Sequence, residues 1–258
     1  MAGSPQLGMV VLFPKEADGK AIGKPGNYEA CEGQKLYFSN AGNLIVIGHT
    51  YGGGGQVMYL PNLPLITSKN YSGYPSSGTY RLRYLIDREM DNRVPENIGM
   101  ITLLLGTDLP PPEGWMFCDG ALLRIEEHAD TYSVIGNTYG GDGTTTFALP
   151  NLPPVKNLNG QGTARYIMCV HGFLPSIGDD IVWPLVGTIT LFAGKEPPVN
   201  WAFCDGQTLT RAKGAPLMSA YHVYNTNTTL PDLLPVKNSE DQGQLRYIIC
   251  LNGDLPSY

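Results

Sequence analysis

The chain has 258 residues and a formal net charge of -6, with a sequence pI near 5.2. Nothing in that balance attracts a phosphate backbone, which argues against a nucleic-acid partner. Hydrophobic residues make up 42% and charged residues 16%, a composition that folds rather than stays disordered. No apolar run approaches the roughly 20 residues that span a bilayer, so no membrane insertion is expected. The opening Met1-Ala2-Gly3-Ser4-Pro5-Gln6 lacks the basic and apolar regions of a secretory signal. With Gly 32 and Pro 21, turns must be frequent, which favours many short strands over long helices. The expected class is mainly β (α+β).

In chain order, one pattern occurs three times. It opens with a short strand-like run at Leu7–Phe13, again at Ile98–Leu104, and again at Val186–Phe192. Each run enters a Pro/Gly-rich loop and emerges at an aromatic–x–x–Cys–acid–Gly segment, Tyr28 to Gly33, Trp115 to Gly120 and Trp201 to Gly206. Each copy later reaches Leu-Pro-Asn/Asp-Leu, around Pro61, Pro150 and Pro231, and ends on a strand holding Arg83-Tyr84, Arg165-Tyr166 or Arg246-Tyr247. Landmarks recurring every ~80–90 residues make each unit a small domain rather than a solenoid repeat. The expected boundaries are 1–90, 91–176 and 177–258, each unit being short strands with one short helix. Copies two and three also share Pro-Val-Lys-Asn, at 154–157 and 235–238.

Local chemistry suggests how each unit is shaped. Asp119-Gly120 and Asp205-Gly206 suit a two-residue hairpin turn, which needs positive φ. On the preceding strand Trp115 and Phe117 face one way and Met116 and Cys118 the other; Trp201 and Phe203 repeat the first pair, and Tyr28 and Ala30 take it in copy one. The stretch 126–136 predicts about two helical turns closed by Gly136. Its counterpart at 42–48 is weaker, and Ala215-Pro216 marks a helix start in copy three. A unit of this size buries only ~60–65% of its extended-chain surface, so the three should pack together.

At these residues the chain resembles the phage tail collar domain family. The resemblance rests on Gly99-Met100-Ile101, on Gly114-Trp115 with Phe117-Cys118-Asp119-Gly120, and on Thr138-Tyr139-Gly140-Gly141-Asp142-Gly143 through Pro150-Asn151-Leu152. Copy three keeps Trp201, Cys204, Asp205, Gly206 and Pro231 but has Asn225-Thr226-Asn227-Thr228 in place of the glycine loop. Copy one keeps Cys31, Gly33 and Pro61, with Tyr28 where the family prefers Trp. The resemblance implies a virion tail, tail-fibre or baseplate component, assembled in the bacterial cytoplasm, or an extracellular injection particle. It implies a structural or receptor-facing role, other tail proteins as partners, and no catalysis. Members are commonly trimers; three copies on one chain suggest a monomeric pseudo-threefold cluster, with a homotrimer as the alternative. An internal connector, a secreted adhesin or lectin, and a polysaccharide depolymerase are the other functions weighed.

Chemistry sought elsewhere is sparse. The glycine loops at 52–55 and 140–143 lack the Gly-Lys-Ser/Thr ending of a phosphate cradle. His49, His128, His171 and His222 are isolated in sequence, so no metal site and no cofactor are expected. The adjacent carboxylates Glu126-Glu127 and Asp179-Asp180 read as solvated faces rather than a glycosidase pair, whose groups stand about 5–10 Å apart across a groove. Five cysteines are too few and too odd in number for a disulfide scaffold. Buried thiols are the default, with Cys118–Cys169 and Cys204–Cys250 bridges conceivable if those strands adjoin. The tyrosine-rich insertion carrying Tyr71, Tyr74 and Tyr80 is the candidate contact surface for a host glycan or protein, since tyrosine offers flat apolar area and a hydroxyl. An ordinary surface loop is the alternative.

Overall fold

A computed structural model describes residues 9–17, 20–21, 28–41, 44, 49–67, 81–87, 97–105, 110–158, 160, 162–175, 185–220, 228–239 and 243–255. In the first third of the chain these form Met9–Ala17 (β1), Lys20–Ala21 (β2), Tyr28–Ala30 (β3), Lys35–Tyr37 (β4), Phe38–Ala41 (α1), Gly53–Gly54 (β5), Val57–Tyr59 (β6), Ile66–Thr67 (β7) and Arg81–Asp87 (β8). The middle holds Met100–Leu105 (β9), Trp115–Phe117 (β10), Leu122–Arg124 (β11), Ala129–Ile135 (α2), Thr146–Ala148 (β12), Val155–Lys156 (β13) and Thr163–Cys169 (β14). The last third holds Ile189–Phe192 (β15), Trp201–Phe203 (β16), Thr208–Leu209 (β17), Arg211–Ala220 (α3), Thr228–Thr229 (β18), Val236–Lys237 (β19) and Gln244–Cys250 (β20).

The middle of the molecule is a curled antiparallel sheet in the order β10-β14-β9-β1-β15-β20-β16, and β9 also pairs with β15. Strands β1, β9 and β15 therefore close a ring. The start of β1 lies on the end of β9 (Met9↔Leu104, Val10↔Leu103), and the start of β9 lies on the end of β15 (Met100↔Phe192, Ile101↔Leu191). The start of β15 meets β1 at Ile189↔Leu12. All residues of β9 and β15 are buried, which explains why these strands read as continuous apolar runs instead of alternating ones.

Outside the ring β8 runs along β1, β14 along β9 and β20 along β15. β3, β10 and β16 form the next layer. The main core gathers Leu12, Leu103 and Leu191 with Cys31, Cys118 and Cys204. Two smaller clusters lie apart from it, one around Trp115, Ile167 and Cys169 with Phe117 against it, the other around Trp201, Phe203, Ile248 and Cys250. Trp115 and Phe117 thus sit on one face of β10 and Cys118 on the other. In β3 no such division exists, because Tyr28, Ala30 and Cys31 all join the main core.

Two local expectations are corrected. Asp119-Gly120 and Asp205-Gly206 do not close hairpins: β10 pairs with β14 but β11 with β12, and β16 pairs with β20 but β17 with β18. The positive φ of Gly120 (80°) and Gly206 (77°) instead turns the chain out of one sheet into another. Pro216 lies inside α3 rather than at its start. It removes one N–H from the helix ladder, and the buried Leu217, Met218 and Ala220 beyond it hold the helix in place. Phe38–Ala41 forms a short helix (α1); of the 42–48 stretch only Leu44 is among the described residues. In the middle, α2 begins at Ala129 and ends against Gly136, whose φ is 60°.

Candidate functional site

The signature residues converge on backbone, not on a cleft. Gly33, Gly120 and Gly206 donate their N–H groups to the carbonyls of Pro61, Pro150 and Pro231 at 3.1, 3.2 and 3.2 Å. Leu63, Leu152 and Leu233 donate to the carbonyls of Cys31, Cys118 and Cys204 at 3.0, 2.9 and 2.9 Å. The isolated bridges Glu32↔Asn62, Asp119↔Asn151 and Asp205↔Asp232 lie between these bonds. The aromatic–Cys–acid–Gly segment is therefore latched to the Leu-Pro-x-Leu segment far along the chain. Arg165 lies over the Phe117 ring at 3.4 Å and Arg246 over Phe203 at 3.3 Å, which caps each aromatic face with a cation.

All five cysteines are buried and unbridged. Cys118 belongs to the main core and Cys169 to a separate cluster, and Cys204 and Cys250 are divided the same way. Adjacent strands thus do not bring the thiols together. Burial pushes Cys31, Cys118 and Cys204 up, with the neighbouring carboxylate adding to it, and Cys250 is raised to about 12. These thiols are inert packing groups.

Around the ring, the two edges joining successive thirds use the same contacts. The Thr102 hydroxyl donates to the Val10 carbonyl, and the Thr190 hydroxyl to the Ile101 carbonyl at 2.6 Å. Asn62 N–H donates to the Asn157 side-chain oxygen at 2.7 Å, and Asn151 N–H to that of Asn238 at 2.5 Å. Asn157 and Asn238 are buried, so each replaces water for a backbone group at an otherwise apolar contact. Tyr51 packs on Gly162 and donates to the Thr163 carbonyl at 2.9 Å; Tyr139 packs on Gly243 and donates to the Ala193 carbonyl at 3.0 Å. Tyr84, Tyr166 and Tyr247 stand opposite Leu12, Leu103 and Leu191. With Thr102 and Thr190 they line a cavity of about 20 Å³ at the ring, room for a single water. Burial raises all three phenols above their ordinary value.

Sequence reasoning missed these clamps, although the shared Pro-Val-Lys-Asn already contained both asparagines. It also missed Asp142, whose Oδ1 accepts N–H groups from Thr144, Thr145 and Thr146 at 2.8, 2.7 and 2.8 Å and whose Oδ2 accepts the Thr145 hydroxyl at 2.6 Å. Those bonds hold its carboxyl below the usual range and lock the glycine loop as an Asx-type turn. The Asp-Gly-Thr run was the available signal. His128 and His171, far apart in sequence, lie against each other with ring centroids 5.0 Å apart and planes tilted by 31°, so they are not isolated in space. Glu126 and Glu127 both pair with Arg124, at 2.9 and 3.4 Å, on an exposed face. Asp179, Asp180, Tyr71, Tyr74 and Tyr80 lie outside the described residues. Among the described residues no group of three or more His, Cys, Asp or Glu is placed to hold a metal.

Residues 99–154 and 187–235 match the family model of the Phage Tail Collar Domain. Part of the chain is a phage tail collar-like domain. Neither the curated proteins nor the solved structures compared with it contain a match. The collar family is a structural, non-catalytic tail module, and the matched parts of the chain are of that kind. Its buried thiols, backbone-directed hydroxyls and arginine-capped rings all hold the fold together.

Proposed function

We propose that the chain is three collar-like modules, 1–90, 91–176 and 177–258, set around a pseudo-threefold axis through the β1–β9–β15 ring. It serves as a structural component of a phage tail fibre, tail tip or baseplate, or of a related injection machine, and it supports or makes host attachment. The observation that carries this reading is the ring itself, in which the start of each strand lies against another of the three. That arrangement uses within one chain the contacts a homotrimer makes between chains. The match to a tail module over parts of the second and third modules supports the location in a virion tail. Tyr71, Tyr74 and Tyr80 are the proposed contact with a host glycan or protein.

Immunogold labelling of assembled particles tests the location: label should fall on the tail, and label on the capsid or absence from particles overturns it. Light scattering tests the pseudo-trimer: a mass near the chain's 28.0 kDa is expected, and an obligate species of about 84 kDa refutes it. Changing Tyr71 and Tyr74 to Ala should reduce binding of the folded protein to host cells, and unchanged binding removes those residues from the site.

A further inference from the structure

The three edges of the ring are not alike. β1–β9 and β9–β15 each pair over two residues, whereas β1–β15 pairs only at Leu12↔Ile189. The two longer edges each carry a threonine hydroxyl on a facing carbonyl, from Thr102 and Thr190. The equivalent residue for the third edge, counted from Gly8, Gly99 and Gly187, is Val11, which has no hydroxyl.

The residue types at the other two clamp positions also differ in the first third. Counted from the closing leucines Leu63, Leu152 and Leu233, the position of Asn157 and Asn238 is held by Ser68. Serine lacks the amide carbonyl that reaches Asn62 and Asn151 in the other two cases. Counted back from Arg83, Arg165 and Arg246, the position of Gly162 and Gly243 is held by Tyr80. At Gly162 and Gly243 a tyrosine ring rests where a Cβ would stand, 2.8 Å from Tyr51 and 3.0 Å from Tyr139. Ser68 and Tyr80 lie outside the described residues and count here by residue type alone. Finally, the chain joins the first third to the middle and the middle to the last, so no linker spans the third edge.

We propose that the ring opens at the β1–β15 edge while β1–β9 and β9–β15 stay closed. This rests on the pseudo-threefold reading above. Among the described residues, opening there separates one short strand contact and breaks neither hydroxyl clamp and neither asparagine clamp. It frees the ring-side backbone groups near Leu12 and Ile189, an unpaired edge that another strand can join. The first and last thirds then act as two arms hinged on the middle one.

Amide hydrogen exchange of the intact chain, read residue by residue by NMR, tests this. Ring-side amides of β1 and β15 at their shared edge should exchange about tenfold faster than those between β9 and β15. Val11→Thr should slow the shared-edge amides about fivefold, the worth of one added hydrogen bond, and leave the β9 edges unchanged. Thr190→Val should speed exchange at the β9–β15 edge about fivefold, toward the rate at the third edge. That second variant decides alone if Val11→Thr does not fold. Equal rates at all three edges overturn the proposal, as does a variant that shifts all edges together or none. The mass of the same sample separates the two ideas: equal rates in a 28.0 kDa species sink the opening edge alone, and a trimer mass sinks the pseudo-threefold reading beneath it.

Discussion

Replacing Gly243 with alanine should test how the middle and last thirds are fastened. Gly243 has φ 73°, and a Cβ there would lie 2.8 Å from Thr138 Cγ2, 3.0 Å from the Tyr139 ring and 3.1 Å from the Thr138 carbonyl. Tyr139 is 2% exposed and its hydroxyl is held by the Ala193 carbonyl at 3.0 Å, so the ring has nowhere to retreat. The left-handed backbone costs an alanine about 1–2 kcal/mol, and overpacking against a fixed ring adds about 1–3 kcal/mol. The combined loss is about 2–5 kcal/mol, or roughly 4–20 °C in melting temperature at about 2–4 °C per kcal/mol for a chain of this size. Gly160 supplies the control: its φ is 86°, and nothing lies within 4 Å of its would-be Cβ. Gly160→Ala should therefore show the backbone cost alone. Thermal melts of both variants by circular dichroism measure the difference. If the two lose the same stability within about 0.5 kcal/mol, the glycine seat for Tyr139 contributes nothing and the argument fails.

Other consequences can be measured directly. The five cysteines should resist iodoacetamide in the folded protein at pH 8, because all are buried and burial holds the thiols of Cys31, Cys118, Cys204 and Cys250 protonated, and all five should label after denaturation without reductant; fewer than five would mean a bridge. Asp142 titrates below the ordinary carboxylate range because the Thr145 hydroxyl and three backbone N–H groups donate to it. Its folded value lies under its unfolded one, so its contribution is complete above about pH 4 and fades as pH falls through the lower folded value. The Thr144–Thr146 amide shifts should accordingly hold steady across pH 4, and a midpoint near 4 would contradict the hydrogen-bond geometry. Arg246→Ala should cost about 0.5–1 kcal/mol through the Phe203 ring. It should cost slightly more than Arg165→Ala, because Arg246 also donates to the Lys195 carbonyl at 2.7 Å; equal losses in urea melts would make that bond irrelevant.

Much of the local structure was legible in the residues, and most of the partner choice was not. The apolar runs at 9–13, 100–105 and 189–192 become buried strands, and Trp115 and Phe117 do turn away from Cys118, because alternation and burial are written within a few residues. Asp119-Gly120 shows the limit of this. The dipeptide specifies a positive φ, which Gly120 has, but not which strand follows, and the chain leaves the sheet instead of pairing back. Pro216 fails as a boundary for a similar reason: its propensity is local, while the packing that holds α3 together lies on the far side of it. Asn157, Asn238 and the His128–His171 ring contact needed distances across the fold, and no short window of sequence contains their partners.

The polar groups of the ring explain why the molecule is built for position. Thr102, Thr190, Asn157, Asn238, Tyr51 and Tyr139 each bond a backbone group of a neighbouring third. A hydroxyl or amide so engaged is desolvated and oriented by the main chain, which fixes geometry but leaves little freedom for a reacting partner. The cavity at the ring is correspondingly about 20 Å³, far below the ~300 Å³ at which pockets begin to hold small-molecule ligands. The Trp115-to-Gly120 segment and the Asp142 loop follow the same rule, since their carbonyls, N–H groups and carboxylate all close on the chain itself. What such a frame can vary without unfolding is the set of residues it does not use for closure. Val11 is a change of that kind, set in β1 beside the contact with β15 at Leu12↔Ile189.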